Sequence, residues 1–443
     1  MTVPASLRRV LMVSPHFPPD SNAASHRVRL LAPHLPAHGW EPIVVTVDPA
    51  SYEGRLDPGL SALVPPSLRV IRARALSPGW TRPLGIGDLG LRALPAMYRA
   101  CASVVRHEPV DAVFITTYPI YTALVGPMLK RRFSVPFAID LQDPWVGAWG
   151  RQVGGAADGT PDLKSRLTRA VAARLEGPVL GSASAIVAVS ARTYEDVLDR
   201  HPGLRGTRCA AMPIGGDVND FASVAASANG ASNAFFDRRD GAIHLCAVGT
   251  ILPMGMDTLR TLLASVADLR RRRPELANRL RLHFFGTSNT RSGDQAPRVE
   301  PLAIREGVAD LVTEHPSRID YLDAIRVQLD AHALLLLGSS EAHYTASKLF
   351  PALASRRPLL ALYHEASSVV SILRQYTRPP TVRVISYGDG DPVATRKAEL
   401  SRALEDLADS HTYTASDVDD RALHDYSADT LAAQLAGILE EMV

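Results

Sequence analysis

Two apolar runs, Ala333–Leu337 and Leu359–Leu362, enclose a stretch that reads as a loop followed by a helix. The helix is expected to open at Thr345 or Ser347 and to run through Leu349, Phe350, Leu353 and Ala354. It should stop at Arg356-Arg357-Pro358, because proline has no N–H to donate and disfavours helical geometry in the residue before it. Strand, loop, helix and strand in that order make a parallel crossover unit, which draws a chain into an α/β architecture. The unit also has a polarity. Its helix N-terminus leaves the carboxyl end of the sheet, where free N–H groups and the helix dipole favour an anion. Lys348 in the first turn adds a full positive charge. An ordinary crossover without a ligand has the same pattern, so this unit alone leaves function open.

The alternation extends through the chain. Expected strands are Arg9–Ser14, Pro42–Val47, Leu68–Arg72, Ala112–Thr116, Phe137–Leu141, Ala185–Val189 and Cys209–Met212. Helical patterns over Ala24–His38, Leu91–His107, Ile120–Arg132, Leu163–Leu175 and Ala191–Arg200 lie among them. Phe221–Gly241 is rich in Ala, Ser, Asn and Asp without an apolar period and reads as a linker. A second set follows, with strands His244–Val248, Arg281–Phe285, Leu311–Thr313, Ala333–Leu337, Leu359–Leu362 and Arg383–Ser386. The expected organisation is therefore an α/β chain of two doubly wound parallel-sheet domains, 1–220 and 242–425, joined by 221–241. A last helix occupies 426–443. Gly150–Pro161 is Gly/Ala/Asp-rich and reads as a mobile loop beside a ligand crevice.

Composition narrows the classes. At 443 residues and 46% apolar content the chain can bury two sizeable cores. A net charge of +2 gives no broad field for nucleic acid. Cys101, Cys209 and Cys246 are far apart and lack metal-ligand spacing, which suits buried thiols in a reducing, cytoplasmic setting. The apolar run after Arg8-Arg9 is too short for a signal peptide or a membrane span. Asp389-Gly-Asp391 sits in a Gly/Pro-rich loop without a third ligand and reads as a turn, so no metal site is expected. The basic runs Lys130-Arg131-Arg132 and Arg270–Arg273 lie at helix ends, where they cap carbonyls; a peripheral membrane contact would suit them if a substrate of this chain were a lipid.

Several motifs stand at strand ends. Ser14-Pro-His-Phe-Pro-Pro-Asp-Ser-Asn-Ala-Ala-Ser-His-Arg27 follows the first strand, with Asn22, Ala23 and Ala24 as small residues before a helix. Asp111–Tyr121 ends in Thr116, Thr117 and Tyr118. Asp140-Leu-Gln-Asp-Pro-Trp145 places Asp143 where it would either cap a helix begun by Pro144 or orient a hydroxyl. Met212-Pro-Ile-Gly-Gly-Asp217 suits a sharp turn. Val248-Gly-Thr-Ile-Leu-Pro-Met-Gly-Met-Asp257 follows the first strand of the second set, and Ser347-Lys-Leu-Phe-Pro351 begins the helix described above.

Taken in order, these motifs resemble the GT-B glycosyltransferases, especially family 4. The resemblance implies two Rossmann-like domains facing a cleft, with a C-terminal helix crossing back to the first. It implies a nucleotide diphosphate sugar as donor, with no separate cofactor, and transfer that retains configuration without a metal. The catalytic residues it suggests are Asp143, Lys348 and His16. Donor contacts fall on Gly249, Thr250, Gly286, Arg318, Glu341, Thr345, Ser347 and Glu365, and acceptor contacts on His26, Arg27, Thr117, Tyr118 and Trp145. Small-molecule partners are thus expected, and no nucleic acid.

The chain departs from the family pattern in its clamp. Thr250 and Met254 stand where the family has the two cations that hold the departing diphosphate, and such cations stabilise developing negative charge. The family's paired glutamates fall on His343 and Pro351, with Glu341 two residues early as a substitute for the first. The alternative expectation is accordingly a GT-B-shaped binding or auxiliary protein without transferase activity.

Overall fold

The computed structural model describes residues 7–146, 163–227, 233–288, 296–339, 348–377, 382–409 and 419–443. They form two compact units, Met1–Ile214 with Ala428–Val443, and Gly215–Ser427.

The first unit is built on β1 (Arg8–Val13), β2 (Trp40–Val47), β3 (Arg69–Ala73), β4 (Ala112–Thr116), β5 (Phe137–Leu141), β6 (Ala185–Ala188) and β7 (Arg208–Ala211). They pair in parallel in the order β3-β2-β1-β4-β5-β6-β7. Val10 lies between Pro42 and Ala112, so β1 is central and the winding reverses between β1 and β4. Successive side chains of a strand face opposite ways. Val10 and Met12 therefore enter one core layer, and Leu11 and Val13 the other. The helix Ala428–Glu440 belongs to this unit, burying Leu431, Ala432, Leu435, Ala436 and Leu439 at helical spacing beside Val28, Leu31 and Leu35.

Three local expectations need correction. The pattern over Ala24–His38 is two pieces, an α-helix Ser25–Leu31 and a 3-10 turn Leu35–His38, because Pro33 cannot continue the backbone ladder. Ile120–Arg132 likewise opens as a 3-10 turn, Ile120–Leu124, before an α-helix, Val125–Phe133. The stretch read as a linker from Phe221 begins inside a helix, Val218–Ser227, of the second unit. Its Phe221 and Val224 pack on Ile325, and alanine-rich sequence forms such a helix readily once one face is covered. The division between the units thus falls at Ile214 and Gly215 rather than after 220, and again between Ser427 and Ala428. The mobile loop expected over Gly150–Pro161 lies outside the described residues.

The second unit contains β8 (Ile243–Val248), β9 (Leu280–Phe285), β10 (Val312–His315), β11 (Ala333–Leu337), β12 (Leu359–His364) and β13 (Val382–Tyr387). Their parallel order is β10-β9-β8-β11-β12-β13, with the reversal between β8 and β11. Ile243, Leu245 and Ala247 enter one layer, while Cys246 and Val248 enter the other. On that second side His244 and His283 meet across β8 and β9, Nδ1 to Nε2 at 2.9 Å, under the stacked ring of Phe236. The segment bearing Phe235 and Phe236 is held by Asn233, whose side-chain oxygen accepts from both backbone N–H groups while its own amide donates to Asp330. Cys101 and Cys246 are buried free thiols, pushed up by desolvation, and Cys209 is half-buried. Asp389 and Asp391 flank a tight turn closed by the Gly388–Asp391 bridge, and Asp391 pairs with Arg396.

Candidate functional site

In an open parallel sheet, ligands bind where the winding reverses, beyond the carboxyl ends of the strands. In the second unit that place is set by the turn after β8. Gly249 has φ +115°, a conformation that residues with a Cβ rarely adopt, and its N–H donates to Phe285 O at 2.7 Å. A Cβ at Gly249 would lie 2.5 Å from Cε of Lys348, so the lysine side chain runs directly over the glycine backbone. Its ammonium donates to Thr250 O at 3.0 Å. The residue's exposure is only intermediate, yet its ammonium is desolvated and stands near Arg318. Burial first, and repulsion from Arg318 second, pull it down to about 8. Gly286, with φ +68°, completes the group, since a Cβ there would touch Arg318 Cα and Cγ at 3.6 Å and Gly249 Cα at 3.9 Å.

Five expected donor-side residues, Gly249, Thr250, Gly286, Arg318 and Lys348, are therefore brought together on two adjacent strand ends and the segments facing them. Thr258 fastens the β8 turn to the β11 side by donating to Gly255 O at 2.6 Å and Gly338 O at 2.9 Å. Two cations close enough to lower a lysine, beside backbone without side chains, suit a ligand of concentrated negative charge. Glu365 is exposed at the end of β12 and packed on Gly388, where a Cβ would lie 2.5 Å from its carboxylate. Thr345, Ser347 and Glu341 lie outside the described residues, and the described helix begins at Leu349.

Sequence reasoning missed Arg298, whose guanidinium donates to Ile251 O in this turn. Glu314 of β10 holds the surrounding backbone, accepting from the N–H groups of Arg298, Val299 and Glu300 at 2.9 Å each. Nothing in the local sequence marks Arg298, because its relation to Ile251 is a matter of chain return.

In the first unit the reversal lies between β1 and β4, and His16 follows β1. His16 is buried, its Nδ1 hydrogen-bonded to the buried carboxylate of Asp20. Its ring stacks with Tyr52 at 5.9 Å and meets Tyr118 at 5.6 Å. Asp20 and Tyr52 were not anticipated, because His16 and Asp20 lie in a non-helical segment with Pro18 and Pro19 between them, where spacing along the chain does not tell which side chains meet. Tyr52 donates to Pro15 O at 2.8 Å, and burial pushes its phenol well above the usual range. The geometry places an aspartate behind an imidazole, the arrangement that orients the ring and leaves Nε2 for another partner.

Three acceptor assignments are corrected by burial. Arg27 lies wholly inside, donating from Nε to Asp140 at 3.0 Å and from its terminal nitrogens to the carbonyls of Pro213 (3.0 Å) and Met212 (2.7 Å). It ties β5 to the segment after β7, and its charge is spent there. Desolvation raises Asp140 in spite of the attraction of Arg27. Thr117 is buried, with both its N–H (3.0 Å) and its hydroxyl (2.9 Å) donating to Asp140 O. Trp145 is buried in the core of this unit instead of offering a face to a sugar. Asp143 is exposed past the end of β5, Tyr118 is half-buried beside His16, and His26 is half-buried and paired with Arg29 at 3.3 Å.

Residues 22–215 match the glycosyl transferase 4-like domain. A D-inositol 3-phosphate glycosyltransferase of Geodermatophilus obscurus is 28% identical over 247 residues, 54% of this chain and 51% of that protein. The chain is thus matched over about half the length of this curated relative. Among solved structures, a trehalose-6-phosphate synthase, OtsA, aligns with a TM-score of 0.63 at 11% identity, covering 98% of this chain and 99% of that one. A glycosyltransferase from Rickettsia africae aligns at 0.59 with 12% identity and 98% coverage of both. The trehalose-phosphate synthase of Burkholderia xenovorans in complex with glucose-6-phosphate aligns at 0.63 with 10% identity, over 98% of this chain and all of that one. At such identities the likeness concerns the fold. The chain is a GT-B fold of two parallel-sheet units, and its residues 22–215, a little under half of its length, are similar to the glycosyl transferase 4-like domain.

Proposed function

We propose that this protein is a glycosyltransferase that moves a sugar from a nucleotide diphosphate sugar to a hydroxyl acceptor. The observation that carries the reading is the convergence of Lys348, Arg318, Gly249 and Gly286 in the second unit. The ammonium and guanidinium supply positive charge where the family's two clamp cations are replaced by Thr250 and Met254. As the bond from the anomeric carbon to the diphosphate breaks, charge grows on the departing oxygen, and preplaced cations in a partly desolvated site stabilise it. That charge is what a metal would otherwise supply, so the proposed reaction is metal-independent. Retention of configuration is proposed from the resemblance of the motifs to family 4.

The first unit would take the acceptor at the end of β1 and β4. There His16, steadied by Asp20, and Tyr118 offer hydrogen bonds to a sugar or polyol hydroxyl, and Asp143 stands at the neighbouring strand end. The glycosyltransferase relatives named above support a phosphorylated or polyhydroxyl acceptor class without singling out one.

The test is thermal unfolding in the presence of a panel of nucleoside diphosphates and their sugars. A ligand at a hundred times its dissociation constant stabilises the native state by about 2.7 kcal/mol, a readily measured shift. Stabilisation by one base, abolished in Lys348→Met, followed by transfer from that donor, is the expected result. Stabilisation without transfer to any acceptor would favour a binding or auxiliary protein, for which Thr250, Met254 and Pro351 argue. A flat response across the panel would remove the donor site altogether.

A further inference from the structure

Between β3 and the helix Leu89–His107, residues 74–87 form an excursion with an unusual surface. A short helical turn, Pro78–Thr81, continues into a 3-10 turn, Arg82–Leu84, closed by Gly85 at φ +79°. Trp80 is 83% exposed, Leu84 76%, Leu76 55% and Ile86 36%. Most large apolar side chains of a soluble domain are covered, and a tryptophan held almost entirely in solvent is expensive unless something receives it.

The excursion is firmly framed. Leu76 exchanges hydrogen bonds with Arg92, N–H to Arg92 O at 3.1 Å and Arg92 Nη1 to Leu76 O at 2.9 Å. Ala75 N–H donates to Ser51 Oγ at 3.2 Å. Thr81 is buried, and Ile86 N–H returns to its carbonyl at 3.0 Å. Glu53 joins Arg82 (2.8 Å) to the buried Arg92 (3.3 Å), and Asp88 caps the following helix at Leu91 N–H, 2.8 Å. The frame is internally bonded while its tips point away from the core.

Charge selects the partner. Residues 74–87 contain Arg74 and Arg82 and no acidic side chain. Arg72, which donates to Pro18 O, is exposed on the adjoining strand, so Arg72, Arg74 and Arg82 outnumber the neighbouring acids Glu53 and Asp88 and the rim is cationic. Protruding Trp, Leu and Ile side chains above a cationic rim match the layered chemistry of an anionic bilayer surface. Indole rings settle at headgroup depth, aliphatic tips enter the acyl boundary, and guanidinium groups meet phosphates. A second copy of the chain would bring like charges together. The basic run Arg270–Arg273, by contrast, is already engaged with Asp310, Asp268, Glu275 and Glu405.

We propose that the Leu76–Ile86 excursion is a membrane-surface anchor that inserts Trp80 and Leu84 into anionic lipid bilayers. The proposal is independent of the transferase reading. Among the described residues no helix is long and apolar enough to cross a membrane, so the contact is interfacial.

The experiment is co-sedimentation of the full chain with vesicles of phosphatidylcholine alone and of phosphatidylcholine with phosphatidylglycerol. Binding only to the anionic vesicles, weakened by salt and accompanied by a blue shift of tryptophan emission, is expected. W80S/L84S should reduce the partition by at least about tenfold. R74Q, at an exposed position, should reduce it roughly fivefold, and it keeps the test open if the double variant fails to fold. No binding to either vesicle overturns the proposal. So does binding that both variants retain, or a concentration-dependent self-association that the same substitutions remove.

Discussion

The side chain of Lys348 lies against the backbone of Gly249 so closely that one added methyl would sit 2.5 Å from its Cε. That contact joins the segment after β11 to the end of β8 and holds the ammonium at Thr250 O. Gly249→Ala should therefore act twice, through strain at φ +115° and by displacing the lysine. We expect a stability loss of about 1–3 kcal/mol and weakening of nucleoside diphosphate binding comparable to that of Lys348→Met. Equilibrium unfolding and calorimetric titration measure the two. Unchanged diphosphate affinity in Gly249→Ala would show that Lys348 does not reach the ligand.

Proton linkage gives a second check. Lys348 titrates near 8 in the fold and at 10.5 as an unperturbed side chain. Between those values the unfolded chain holds the extra proton, so this group makes the unliganded protein more stable as pH rises through the window. A diphosphate favours the protonated amine and reverses its preference. Its affinity should be level below pH 8 and fall roughly tenfold per unit above it, with proton uptake on binding. In Lys348→Met the slope should vanish; a slope that survives would belong to another group.

Arg27 and His16 should separate stability from chemistry. Removing one partner of a buried ion pair costs about 3–5 kcal/mol, so Arg27→Met should lower the unfolding midpoint strongly by stranding Asp140 and freeing the Met212 and Pro213 carbonyls. The folded fraction should keep its acceptor KM within about twofold. His16→Ala and Asp20→Asn should lower kcat by about ten- to a hundredfold with a small change in melting temperature. A raised acceptor KM in Arg27→Met without a loss of stability would return Arg27 to the binding site.

Acid should loosen the second unit. Burial, helped by neighbouring His244 and His315, lowers His283 to about 4, and burial lowers His332 to about 4 as well. A histidine lowered in the fold is bound neutral, and the unfolded chain takes up the proton first. Stability is therefore complete above pH 6.5 and is lost as pH falls toward 4, by on the order of 2–3 kcal/mol for His283. His283→Phe, which keeps the stack with Phe236, should flatten the pH dependence of melting across that window. If it leaves the dependence unchanged, the acid sensitivity arises elsewhere.

Much of this protein was legible in its residue order. Apolar runs such as Val10–Val13 and Ala333–Leu337, separated by helical periods, determine parallel sheets because each must bury both faces. The reversal points follow from that winding, and they place His16, Gly249, Gly286 and Lys348 at strand ends before any coordinate is known. Helix breaks were less visible where one proline competes with a long apolar period, as at Pro33. A run of small residues hid the helix from Val218, whose formation depends on Ile325 standing opposite.

Tertiary structure alone decided which polar side chains are spent inside. Arg27, Thr117 and Trp145 sit in motifs that suit a ligand, yet burial commits the first two to Asp140 and the chain carbonyls, and the third to the core. Spacing along the sequence carries no information about desolvation, and desolvation decides whether a charge binds a ligand or a neighbour. The approach of Arg318 to Lys348, and of Arg298 to Ile251, likewise came only from the return of distant segments. Sequence therefore determined the sheets and the ends where ligands gather, because periodicity is local. The fold determined which charges remain there, because burial is a property of all the chain packed around them.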